Sequence, residues 1–178
     1  MAKIHAPPKN SEVPVIQINQ LTEADGFLFG VPTRFGTTPA QIKSFFDSAG
    51  KLWFDGALYG KFAGVFFSTG SQASGQETTA LSCLPFFVHH GIRFVPLGYR
   101  NPKLMDLNEV HGGKWFIFIL TSWMIIRILH QLGGPWGAGT LSGPDGSRQP
   151  SALELEVAES QGFEFGQLMN LVVRWILN

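Results

Sequence analysis

Two stretches decide the fold of this chain: Ala24-Asp-Gly-Phe-Leu-Phe-Gly-Val-Pro-Thr-Arg-Phe-Gly36 and Ser68-Thr-Gly-Ser-Gln-Ala-Ser-Gly-Gln-Glu-Thr78. At each, an apolar run of strand length breaks into a loop of glycine and hydroxyl residues, and a helix signal follows. Two such units in succession predict adjacent parallel strands whose carboxyl ends open onto one crevice, where α/β sheets hold their ligands. An ordinary nucleotide-binding sheet begins with a strand and a phosphate-gripping turn. The residues before Ala24 offer neither.

Working outward, residues 1–20 carry Pro7, Pro8 and Pro14 with little periodicity and read as an irregular arm. Leu21 to Asp25 reads as a short helical turn capped by Thr22. Gly26–Val31 is a continuous apolar run, as expected of a strand covered on both faces. Thr38 suits a helix cap, Pro39 the first turn, and Gln41 the closing position of a capping box. Ile42, Phe45, Phe46 and Ala49 recur at helical spacing, and Gly50 is the expected stop. Lys61–Phe67 predicts a second strand, Gln76–His90 a helix, and Gly91–Pro96 a third strand. Pro85 inside that helix costs roughly 3 kcal/mol unless the helix kinks or starts late. Gly98 to Gly113 is a long connection. Ser151 and Glu154 form another capping box, opening a helix that runs to about Gln161 or beyond.

The chain of 178 residues suits one domain with a real core. The expected organisation is an arm over 1–20, an α/β domain over 21–167 and an apolar tail over 168–178. Hydrophobic residues make up 44% and charged residues 15%, which excludes disorder over most of the length. Thirteen basic and thirteen acidic residues cancel, so no basic face for nucleic acid is expected. Cys83 is the single cysteine, which excludes a disulfide framework and a thiolate metal cluster and points to a reducing, cytoplasmic setting. The first ten residues lack the apolar core of a secretory signal. One segment breaks the pattern: Lys114 to Gly133 sets an intensely apolar block between two glycine-rich loops. A membrane span needs about 20 apolar residues, and Trp115–Ile126 is shorter, with Arg127 next.

Two loops and one helix end carry the candidate chemistry. Thr33 and Arg34 can hydrogen-bond a ligand beyond the strand end, and Phe35 can lie against a flat ring. The alternative is a tight turn with a solvated arginine. The loop from Ser68 to Glu77 allows close backbone approach, so successive N–H groups could bond the carbonyls and nitrogens of a planar cofactor. Read alone, it is equally a flexible connection. His89 and His90 are candidate acids, bases or donors to a quinone oxygen, or simply helix-terminal histidines favoured by the macrodipole. No cluster with metal-ligand spacing appears. Ser68 lacks a nucleophile elbow, and Cys83 reads as a small core residue.

At these residues the chain resembles the WrbA-type NAD(P)H:quinone oxidoreductases, which have a flavodoxin-like fold. The resemblance rests on Ala24–Gly36, Leu52-Trp53, Gly56–Lys61, Ser68–Thr78, His89–Gly91, Val95–Tyr99, Gly137–Gly139 and Asp145–Pro150, in that order. It implies a three-layer parallel α/β sheet, FMN as cofactor, and two-electron reduction of quinones by NADH or NADPH. It further implies flavin contacts from Thr33, Arg34, Phe35, Ser68, Thr69, Gly70, Ser71 and Gln72. His89 matches a flavin-side histidine with a catalytic role, and Trp53 a substrate-pocket position. Family members commonly assemble as tetramers with flavin sites near subunit contacts, so a homo-oligomer is expected.

Three departures accompany the resemblance. The family's first strand, phosphate loop, first helix and second strand have no counterpart here, so the charged end of FMN loses its usual anchor. The block 114–133 separates segments that are contiguous in the family, and the tail from Leu168 lacks the usual polar ending. The expectation is therefore that reconstituted protein stays colourless after desalting. The alternative readings are a non-catalytic truncated isoform that associates with full-length subunits, and membrane attachment through Trp115–Leu132.

Overall fold

The computed structural model describes residues 10–105 and 134–176. The apolar block and the second half of the long connection therefore lie outside the described residues. Four strands make one parallel sheet: β1 (Gly26–Pro32), β2 (Phe62–Thr69), β3 (Arg93–Phe94) and β4 (Gly139–Leu141). β1 runs along one edge of β2 in register from Gly26 opposite Phe62 to Pro32 opposite Ser68. β3 and β4 share the opposite edge, β3 beside Phe62–Ala63 and β4 beside Phe67–Thr69.

Alternation along β1 and β2 builds two faces. Phe27, Phe29 and Val31 lie level with Ala63, Val65 and Phe67, and this face joins the core formed with helices α1 (Ala40–Asp47), α2 (Gly50–Phe54) and α3 (Gln76–His90). Aromatic rings fill it: Phe46 stacks on Phe86 with centroids 4.0 Å apart and meets Phe29 edge-on at 5.7 Å. The other face carries glycines where helix α4 (Ala152–Ile176) crosses. A Cβ on Gly26 would run into Phe165 and Met169, and one on Gly64 into Leu28. Helices on both faces give the three-layer α/β architecture expected from the sequence.

One polar side chain completes the sheet. Between β3 and β4 the edge of β2 has no strand beside Val65. Gln161, 6% exposed on α4, fills the gap: its Nε2 donates to the Val65 carbonyl and its Oε1 accepts from the Ala138 N–H, both at 2.9 Å. Buried backbone groups must find partners, and an amide side chain supplies a donor and an acceptor at once.

Several local expectations are corrected. The helical turn near residue 21 is a 3-10 turn over Ile18–Thr22, and Thr22 closes it by donating to the Asn19 carbonyl instead of capping its start. Thr38 and Gln41 form no capping box; Pro39 is the cap residue of α1, and the Thr38 N–H is taken by Ser82 Oγ at 3.1 Å. Gly50 does not stop the chain's helical run but opens α2 after a break at Ser48–Ala49. The third strand shrinks to two residues, since β2 offers it a partner only at its start. Pro85 sits within α3 without ending it, on the exposed face with the half-exposed Leu81 one turn before it. The apolar residues from Leu168 continue α4 without interruption to Ile176. Among the described residues, no helix is long and apolar enough to cross a membrane.

Candidate functional site

The sheet register brings the two loops together. Pro32 is level with Ser68, and beyond it the Thr33 N–H donates to the Ser68 carbonyl at 2.8 Å. The Thr33 hydroxyl meets that of Thr79 on α3 at 3.0 Å. Arg34 and Thr37 then exchange two backbone hydrogen bonds, of 2.9 and 3.1 Å, around Phe35 and Gly36. Both central residues have positive φ, 51° and 78°, as primed turns require. Gly36 packs against Gly75 of the second loop so closely that a Cβ on Gly75 would stand 2.6 Å from the Gly36 Cα. The two loops form one continuous rim.

Backbone strain is concentrated there. Among the described residues only two non-glycine positions have positive φ, Phe35 at 51° and Ala73 at 55°, and each loop holds one. Left-handed backbone costs an L-residue roughly 1–2 kcal/mol, and such residues gather where a site over-determines their geometry. Phe35 presents its ring wholly to solvent, while the Arg34 guanidinium folds back to donate to the Thr33 carbonyl at 3.0 Å. Gly70 is exposed and borders open space, so the backbone there lies bare to an approaching flat molecule. Ser71 and Gln72 continue the rim; the Ser71 and Ser74 hydroxyls contact each other, and Ser74 donates to the Gln72 carbonyl at 3.2 Å. Thr69 is different: 4% exposed, its hydroxyl donates to the Ser71 carbonyl at 3.0 Å and so holds the loop from within.

Trp53 and His89 are not part of this rim. Both line a cleft of ≈ 410 Å³ with Lys43, Asp47, Phe86 and His90. The rim lies at the start of α3 and His89 at its end, and fifteen helical residues span about 22 Å. Within one copy of the chain, His89 does not reach the loops. Trp53 is 55% exposed and His89 is exposed. His90, by contrast, is 9% exposed, lies against Phe86 with centroids 4.4 Å apart, and its Nδ1 has no partner. Burial, and then the neighbouring His89, lower its pKa below the usual histidine value. Cys83 is fully buried, and burial pushes its thiol up to about 12, so it stays an unreactive thiol. Among the described residues, no group of three or more His, Cys, Asp or Glu could hold a metal ion.

A planar heterocycle with carbonyls and ring nitrogens needs donors along one edge and a flat apolar contact, and Arg34, the bare backbone around Gly70 and the Phe35 ring could supply them, with Thr33 holding the two loops together. Sequence reasoning did not single out Gln76, Thr140, Arg148 or Gln161 beneath and beside the rim. The available signal was a glutamine opening a helix straight after a glycine, and a second glutamine on the core-facing side of an amphipathic helix.

Comparison with known proteins bears on the same residues. The family described as NADPH-dependent FMN reductase matches residues 11–101, which include both loops. The minor allergen Alt a 7 of Alternaria alternata is 49% identical over 166 residues, covering 92% of this chain and 72% of that protein. The NAD(P)H quinone oxidoreductase PST2 of Candida albicans is 47% identical over 162 residues, 91% of this chain and 70% of that one. Among solved structures, a flavodoxin, WrbA-like protein from Agrobacterium tumefaciens is 32% identical over 46% of this chain and 52% of its own, with a TM-score of 0.43.

Proposed function

The chain belongs to the NADPH-dependent FMN reductase family, and on that premise we propose that it is an FMN-dependent NAD(P)H:quinone oxidoreductase of the WrbA type. The observation that carries this reading is the strained rim, where Phe35 and Ala73 hold left-handed backbone on two loops that touch through Gly36 and Gly75. When bound, FMN supplies two-electron chemistry: it accepts a hydride from NAD(P)H and passes the electron pair to quinone, which takes up protons to become hydroquinone. The protein's part is positioning. Thr33, Arg34 and the Ser68–Gly75 backbone hold the polar edge of the ring, and Phe35 covers part of its face. Thr69 keeps the second loop in shape.

Trp53 and His89 serve the same reaction from a second copy of the chain. His89 lies about a helix length from the rim of its own copy, and a homo-oligomer would bring it to the rim of another. In that arrangement Trp53 stacks on the quinone, and His89 donates a hydrogen bond to its oxygen. The buried single cysteine fits a reducing, cytoplasmic setting.

The assay contains free FMN. The purified chain is mixed with NADH or NADPH and a simple benzoquinone while FMN is titrated. Quinone reduction that saturates with FMN, accompanied by quenching of flavin fluorescence, is the expected result. Reduction no faster than that of free FMN alone, with no quenching, overturns the proposal.

A further inference from the structure

A buried polar network under the rim converges on Thr140. β4 sets this residue level with Ser68, at the point where the second loop leaves the sheet. Gln76 opens α3 and is 3% exposed. Its Nε2 donates to the Thr140 carbonyl at 3.1 Å and to Thr69 Oγ1 at 3.3 Å, and Thr69 passes the connection on to the Ser71 carbonyl. On the other side, the Thr140 hydroxyl donates to Glu154 Oε2 at 3.0 Å. The same oxygen accepts from Arg148 at 2.9 Å and from the Ser151 N–H at 2.8 Å. Gly139 lacks a side chain where Gln76 must fit, since a Cβ there would overlap the Gln76 amide.

Apolar packing alone would place a leucine or methionine at position 76. Burying an amide and a carboxylate is costly unless each is hydrogen-bonded, so such groups mark a place where direction matters more than area. Here the Gln76 bonds end on Thr69, which leads into Ser68–Gly75, and on the Thr140 carbonyl beside Ser68, while Glu154 ties Thr140 to Arg148 and Ser151. We infer that Gln76 and Glu154, acting through Thr140 and Thr69, position the Ser68–Gly75 loop for the flavin ring. Gln76 is thus a positioning residue for cofactor binding, a role that rests on the flavin reading above. It fixes the take-off of a loop whose Ala73 and Gly75 backbone, at φ 55° and 90°, has no regular structure to hold it.

Two variants of the full chain test this: Gln76→Met, which keeps length and bulk but cannot donate, and Thr140→Val, which removes the hydroxyl. Three readouts are taken: amide hydrogen exchange, flavin affinity by fluorescence quenching, and visible circular dichroism of bound flavin. Both variants should melt cooperatively, with faster exchange confined to residues 68–75. Affinity for FMN and for riboflavin should fall in parallel by about tenfold, the effect of one lost buried hydrogen bond, and the bound flavin's circular dichroism should change. If either variant fails to fold, the other decides. Unchanged exchange and flavin affinity, or a loss for FMN with none for riboflavin, overturns the inference alone. Wild-type protein that binds neither flavin overturns the flavin reading and this inference with it.

Discussion

The Thr33 N–H donates to the Ser68 carbonyl at 2.8 Å, so the residue that ends β1 pairing and the residue that precedes the second loop stand side by side. This bond extends the parallel register by one step beyond Pro32 and sets both loops at the same height above the sheet. It also explains how Phe35 is held. With Thr33 fixed below and Gly36 pressed on Gly75, the Arg34–Thr37 turn has no room to relax its backbone.

The first prediction follows from that strain. Phe35→Gly removes the left-handed penalty of roughly 1–2 kcal/mol but adds the backbone entropy of glycine, roughly 0.5–1 kcal/mol, so stability should rise by about 0.5–1 kcal/mol. Flavin affinity should fall at the same time, because the exposed ring is lost. Thermal melts and flavin titrations of the one variant measure both. A variant that is less stable, or that binds flavin as well as the parent, contradicts the role given to Phe35.

The fold was legible where one signal dominated. The continuous apolar run Gly26–Val31 specifies a strand, although Leu28 and Gly30 on one face are exposed where cover on both faces was expected, and Ser151 with Glu154 specifies a helix start that forms as expected, with the Glu154 N–H donating to Ser151 Oγ at 3.2 Å. It was less legible where tertiary partners overrule local preference. Thr38 looks like a cap, yet Ser82, forty-four residues away, takes its N–H. The loops of the candidate site could be read individually, and so could α3, which spans Gln76–His90 as expected; what went unread is that this length sets His89 apart from the loops. Residue identity cannot reveal which end of the helix faces which ligand. Gln76 and Gln161 escaped notice because a glutamine's value depends on backbone groups left unpaired by strands that do not extend far enough.

Gln161 supports the second prediction. Gln161→Leu keeps the apolar contacts of α4 but leaves the Val65 carbonyl and the Ala138 N–H buried without partners. At about 1–3 kcal/mol for each stranded group, the loss should be about 2–6 kcal/mol. Denaturant unfolding reads this directly, and a loss below about 1 kcal/mol would mean that other groups satisfy that edge of β2.

Acid should weaken the fold through His90. Its pKa in the folded chain lies below the value of about 6.5 in the unfolded chain, so the unfolded state binds more protons between the two values. Stability is fully present above about pH 6.5 and declines as pH falls towards the folded value. His90→Phe keeps the contact with Phe86 and removes the titrating group, so melting temperature should vary less between pH 7 and pH 5 than in the parent, on the order of a few degrees less. An equal decline in both proteins would assign the acid sensitivity to other groups.

Separation of the rim from His89 by the length of α3 leads to the last prediction. Arg34→Ala damages the rim and spares the cleft; Trp53→Ala does the reverse, so each protein alone should show little quinone reduction. If rim and cleft of one site come from different copies, co-refolding the two variants in equal amounts restores complete sites. A complete site needs an intact rim from a Trp53→Ala copy and an intact cleft from an Arg34→Ala copy, so about a quarter of sites should recover by random pairing. The mixture should therefore regain measurable FMN-dependent quinone reduction that neither variant shows, and size-exclusion chromatography with light scattering should find the parent protein oligomeric. A mixture no more active than its parts would show that rim and cleft of one site do not come from different copies. A monomeric parent that nonetheless turns over quinone would show that the rim suffices without the cleft, since α3 keeps His89 too far from the Phe35 ring for one copy to use both.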